Sequence, residues 1–145
     1  MMYAASADDA NMLYATGFWV PDPFLWIHDG RRSTIVVSDL EYGRARREAR
    51  VDRVVNITEL LGRRKAGAEV LARMVLGRGG TVEVPYHFPT GLAQRLRRVG
   101  IRARPVPDPF FPERMRKSPA EVRRICDAQR AVEDAAAFAI GVLRR

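Results

Sequence analysis

The sequence predicts a three-layer α/β/α domain on a mixed sheet, followed by one long carboxy-terminal helix. Three observations predict it. Strand-length apolar runs alternate with amphipathic runs of helical length. An Asp29-Gly30 turn joins two early strand-like runs, and a proline-rich loop, PVPDPFFP, separates all of this from a helical stretch beyond it.

Taken in order, Met1 to Ala5 and Met12 to Thr16 are short apolar runs on either side of the polar turn Ser6 to Asn11, so strand is expected to follow strand here. Phe24 to His28 and Thr34 to Ser38 form a hairpin around Asp29-Gly30, a dipeptide suited to the positive φ of a tight turn. Leu40 to Ala49 reads as a helix and Val51 to Ile57 as a strand. Ala66 to Leu76 reads as a second helix, closed by Gly77, Gly79 and Gly80. Thr81 to Pro85 is the next strand, Leu92 to Val99 an amphipathic helix ended by Gly100, and Ile101 to Val106 the last strand. The repeated prolines that follow forbid both helix and central strand. An antiparallel meander followed by right-handed crossover units is the implied topology.

The last helix is well signalled. Ser118 suits an N-cap, Pro119 the first helical position and Glu121 the third, as in a capping box. Val122, Ile125, Gln129, Val132, Ala136 and Ile140 make one stripe. Beyond Asp134 the run AAAFAIGVL carries no charge, is too short to span a bilayer and is placed unlike a signal peptide. Covering Phe138, Ile140, Val142 and Leu143 would be worth about 1.5–3 kcal/mol each. A second domain or a partner chain is expected to supply that cover.

Composition narrows the function classes. The net charge is +8, but Lys65 and Lys117 are the only lysines, and the arginines are scattered beside apolar stripes as on a solvated face. No aromatic residues are interleaved with them to stack bases, so nucleic acid is disfavoured as a partner. The single cysteine, Cys126, forms no internal disulfide and suits a reducing cytoplasm; it reads as a small buried helix residue rather than a nucleophile. Two distant histidines, His28 and His87, make no dense zinc site, and the chain lacks His-Glu-x-x-His, paired Cys-x-x-Cys and Gly-x-Ser-x-Gly motifs. Asp29, Asp39, Glu41 and Asp52 at strand ends invite a two-metal nuclease reading. A turn for Asp29, a helix cap at Asp39 or Ser38, a helix first turn for Glu41 and a strand surface for Asp52 account for them better. His87 reads as a structural histidine.

The segment DDANMLYATGFWVPDPFLWI concentrates Tyr14, Phe18, Trp19, Phe24 and Trp26 around Gly17, Pro21 and Pro23. Such a stiff aromatic loop covers a pocket or an interface, or else its rings pack into the domain's own core; the sequence leaves both open.

These residues carry a resemblance. The run DANMLYATGFWVPDPF, through Asn11, Tyr14, Thr16, Gly17 and Phe18, resembles a motif of the creatinase/prolidase amino-terminal domain. VSDLEYGRARREARVDRVV resembles that domain's next strand and helix. FFPERMRKSPAEVRRICDAQRAVEDA, with Arg114, Lys117, Glu121 and Ile125, resembles the junction leading into the catalytic domain. The resemblance covers most of the chain in the right order and points to the Xaa-Pro aminopeptidase and dipeptidase branch.

It implies a ribonuclease-H-like α/β fold without nuclease activity over residues 1–112, and a junction and linker helix over 113–145. The family's pita-bread catalytic domain holds two divalent metals, often manganese or cobalt, on two Asp, one His and two Glu; none of those ligands is expected in this chain, which alone is expected to be inactive. The expected partners are the chain's own catalytic domain, a second subunit and, through the parent enzyme, a peptide substrate; no membrane is expected. By analogy the loop with Tyr14, Gly17, Phe18, Trp19, Pro21 and Phe24 overhangs a neighbouring active site, while Arg114, Lys117 and Glu121 mark the junction. The parent could equally be a creatinase-like amidinohydrolase or an inactive relative. A standalone interaction module of the same fold is the alternative, and a nucleic-acid-binding domain the weaker one.

Overall fold

The computed structural model describes residues 1–145 except Arg63, Arg78, Arg144 and Arg145. Strand β1 (Met2–Ala4) leads to helix α1 (Ala10–Thr16), β2 (Phe24–His28), β3 (Ser33–Val37), α2 (Asp39–Glu48), β4 (Arg53–Asn56), α3 (Ile57–Leu61) and α4 (Ala68–Leu76). After them come β5 (Gly80–Pro85), α5 (Thr90–Arg98), β6 (Ile101–Val106), a 3-10 turn (Pro112–Met115) and α6 (Pro119–Leu143). Two compact units are present, Met1–Phe111 and Pro112–Arg145.

In the first unit, β1, β2 and β3 form an antiparallel meander, and β3 pairs with β4 in parallel, which gives the expected mixed sheet. Strands β5 and β6 pair in parallel as a separate ribbon. One hydrogen bond, from Met1 N to the Glu83 carbonyl at 2.7 Å, links the β1 side to β5.

The period of two along the strands sorts the side chains into two cores. Leu25, Ile27, Val36 and Val55 face one side, where Leu71 and Ala72 of α4, Leu92 and Leu96 of α5, and Val84 and Ile101 cover them. Met2, Phe24, Trp26, Ile35 and Val37 face the other side, under Met12 of α1 and Ala45 of α2. A strand buried on both faces needs an almost continuous apolar run, which is what Phe24–Ile27 supplies. The layers are therefore α/β/α.

Two expectations need correcting. Met12 to Thr16 is helix, not strand: the Asp9 carboxylate accepts the Met12 amide at 2.8 Å as an N-cap, and Gly17 at φ 58° closes the helix, its amide bonded to the Leu13 carbonyl at 2.7 Å. Strand β4 stops at Asn56 rather than Ile57. The Asn56 side chain caps α3 by accepting from the amides of Thr58 and Glu59 at 2.6 and 3.2 Å.

In the second unit, α6 opens with a capping box. The Glu121 carboxylate accepts from the Ser118 amide at 2.8 Å and its hydroxyl at 2.7 Å, and the Glu121 amide returns a bond to the Ser118 hydroxyl at 3.3 Å. Among the described residues no helix is long and apolar enough to cross a membrane.

Candidate interface loop and junction

The loop from Gly17 to Phe24 is held by polar atoms at its root. Ser6, almost fully buried, donates its hydroxyl to the Phe18 carbonyl at 2.6 Å and accepts the Val20 amide at 2.7 Å. The Thr16 hydroxyl donates to the Met12 carbonyl at 2.8 Å and accepts the Phe18 amide at 3.2 Å. The Ala7 amide reaches the Val20 carbonyl at 3.0 Å, and the Arg50 amide the Thr16 carbonyl at 2.7 Å. Buried polar groups so fully paired resist opening, because each broken bond would leave a donor or acceptor without water.

Helix α2 grips the same loop from outside. Arg44 places its guanidinium 4.4 Å above the Phe18 ring and donates to the Trp19 carbonyl at 2.9 Å. Glu41 at 2.6 Å and Glu48 at 3.2 Å hold it there. Desolvation opposes the charge of Arg44, but the hydrogen bonds and charges of Glu41 and then Glu48 outweigh it and raise its pKa above the ordinary arginine value.

The predicted loop residues divide. Phe18 and Phe24 lie in the core, their rings edge to face at 6.3 Å. Trp19 is 56% exposed, and Pro21 and Gly17 are exposed with it. Tyr14 is also exposed, although one side of its ring meets Phe111 at 5.5 Å. Trp26 is buried against Phe111, its indole nitrogen without a hydrogen-bond partner among the described residues. Neither a core role nor a surface role holds for all five rings. Ser6 and Arg44 went unremarked as site residues in the sequence; the Glu41, Arg44, Glu48 spacing is the one signal that could have drawn attention to Arg44.

At the junction, Lys117 donates its ammonium to the Arg114 carbonyl, and Glu121 belongs to the capping box. Hydrogen bonds from the Ser118 hydroxyl and then its amide, with Lys117 and Arg124 nearby, keep the Glu121 carboxyl below its ordinary pKa. Along α6 every described residue from Arg123 onward is exposed, including Phe138 at 75%. Cys126 is exposed too, where a small buried helix residue was expected.

The strand-end carboxylates stay apart in their own local tasks. Asp29 accepts the Arg31 and Arg32 amides at 2.8 Å each, Asp39 accepts the Thr58 hydroxyl at 2.6 Å, and Asp52 accepts the Ser33 amide and hydroxyl at 2.7 Å each. His87 meets Asp9 at 2.8 Å. Among the described residues no three His, Cys, Asp or Glu side chains gather so as to hold a metal ion. The side chains present do not fit a dimetal centre.

A two-core α/β/α unit on a mixed sheet with a pinned aromatic loop, followed by a long capped helix, defines the class of fold. The chain belongs to the creatinase/prolidase N-terminal domain family, whose model matches residues 3–116. Among solved structures, the prolidase from Pyrococcus horikoshii OT3 is similar with a TM-score of 0.73 and 19% identity, over 96% of this chain and 37% of that one. The prolidase from Pyrococcus furiosus is similar with a TM-score of 0.60 and 16% identity, over 80% of this chain and 32% of that one. The chain thus spans about a third of the length of these prolidases, and the likeness is one of fold. No curated sequence matches it significantly.

Proposed function

We propose that this chain is the noncatalytic amino-terminal domain of a proline-specific metallopeptidase, a Xaa-Pro aminopeptidase or dipeptidase. In this reading it shapes substrate access through the Gly17 to Phe24 loop and takes part in subunit association. The observation that carries the proposal is the family match over residues 3–116, reinforced by a fold shared with about a third of two archaeal prolidases. The pinned loop supports it further: Arg44 holds the Trp19 carbonyl, and Ser6 the flanking Phe18 carbonyl and Val20 amide, which fixes the backbone that carries the exposed Trp19 ring, as suits a wall that limits substrate size. The two divalent metals, manganese or cobalt, would belong to the parent's catalytic domain and not to these residues.

The test begins with the reading frame beyond the Arg145 codon. If it encodes spaced Asp, Asp, His, Glu and Glu ligands, the full product should hydrolyse Xaa-Pro dipeptides with manganese or cobalt, and residues 1–145 alone should not. A stop codon at that point would sink the proposal and leave the second reading, a standalone interaction module, which the exposed apolar stripe of α6 favours.

A further inference from the structure

Strand β6 has an edge that no other strand pairs among the described residues. The register runs from Gly80 opposite Ile101 to Pro85 opposite Val106, and the Gly80 amide donates to the Gly100 carbonyl at 3.0 Å. In a parallel ladder, alternate residues turn both amide and carbonyl toward the same neighbour. Arg102 and Arg104 therefore turn theirs to β5, while Ile101 and Ala103 turn theirs outward. Pro105 falls on the outward set, where its missing N–H costs no ladder bond.

Beside this edge, between α5 and β6, lies a groove of about 330 Å³ lined by Thr90, Ala93, Gln94, Arg97, Arg102 and Ala103. Ala93 and Ala103 leave room for a second backbone. Arg95 is engaged by Glu69 at 3.1 Å and Arg104 by Glu83. Arg97 and Arg102 are exposed and have no carboxylate partner among the described residues.

We propose that this edge and groove bind an extended acidic peptide segment of another protein, added to β6 as a further strand. Its main chain pairs with Ile101 and Ala103, and its carboxylates meet Arg97 and Arg102. A second copy of the chain is a poor occupant. Antiparallel pairing centred on Ala103 would set Arg102 of one copy opposite Arg104 of the other, and like charges across a ladder repel. Arg102, which discourages self-pairing, is also one of the two arginines that select an acidic strand.

The test titrates the full chain with a fluorescent peptide of paired glutamates between valines, so that a carboxylate falls on each face of the added strand, beside the matching lysine-valine peptide and oligothymidylate. The glutamate peptide should bind, slow exchange of the Ala103 amide, and lose roughly tenfold or more in affinity when Arg97→Glu and Arg102→Glu are combined. N-methylation of its alternate amides should abolish binding while leaving its charge unchanged. Equal binding of the lysine peptide, indifference to N-methylation or an unprotected Ala103 amide would overturn the proposal. So would oligothymidylate binding as tightly with the same arginine dependence, which would mark a general polyanion patch, or self-association of the chain through β6. Both substitutions change exposed side chains, and an unchanged circular dichroism spectrum of the variant is the control for folding.

Discussion

The Gly17 to Phe24 loop and helix α6 are both rich in apolar side chains, yet one closes its contacts within its own unit and the other leaves them open. In the loop, Phe18, Val20 and Phe24 are buried and the neighbouring amides and carbonyls are satisfied by Ser6, Thr16 and Arg44. In α6 the backbone is equally regular, but Ile125, Val132, Phe138 and Leu143 are exposed. Apolar content alone therefore does not tell where a segment's energy lies. Burial stabilises the loop, whereas α6 depends on its backbone ladder and its cap.

Substitutions can sharpen or break this contrast. The largest effect should come from Phe18→Ala, which empties a fully buried site and should cost about 3–5 kcal/mol in chemical denaturation. Ser6→Ala should cost about 1–3 kcal/mol by leaving the Val20 amide buried without a partner and the Phe18 carbonyl with only the Thr16 hydroxyl at 3.4 Å. A smaller effect is expected from acid on α6. The Glu121 carboxyl holds its proton less tightly folded than unfolded, so its cap is fully present above the ordinary glutamate range. The cap is lost as pH falls through the lowered folded value. Amide exchange in the first turn of α6 should speed up across that acid window in the native chain and not in Glu121→Gln. Smallest of all, Phe138→Ala should change the stability of this chain by less than about 0.5 kcal/mol. A loss of several kcal/mol there would show that the helix is covered, and the contrast would fail.

Much of the architecture was legible because the signals repeat along the chain. The hairpin, β5, β6, and the stops at Gly77 and Gly100 followed from period-two runs and glycine, and Ser118, Pro119 and Glu121 located the start of α6. Helix α1 was misread because a seven-residue element shows too little periodicity to outweigh its apolar run; Asp9 and Gly17, its ends, held the better clue. The division of the aromatic rings was not legible, since an irregular loop has no period to say which side chain turns inward. Arg44 was hidden for a related reason. Carboxylates three residues before it and four after look like surface pairing, and only the folded chain shows Phe18 and the Trp19 carbonyl beneath the guanidinium.

The two-sided burial of β2 also decides where this gene can tolerate insertions and deletions. Consecutive residues Leu25 and Trp26 belong to opposite cores, so deleting a single codon within the strand would trade an aliphatic side chain for an indole on every layer beyond the cut. A codon added at Gly30 meets no such exchange, because the turn from Asp29 to Arg32 is exposed and belongs to neither core. Length variation, and any peptide grafted for labelling, should therefore be accepted at that tip and refused a few residues before it.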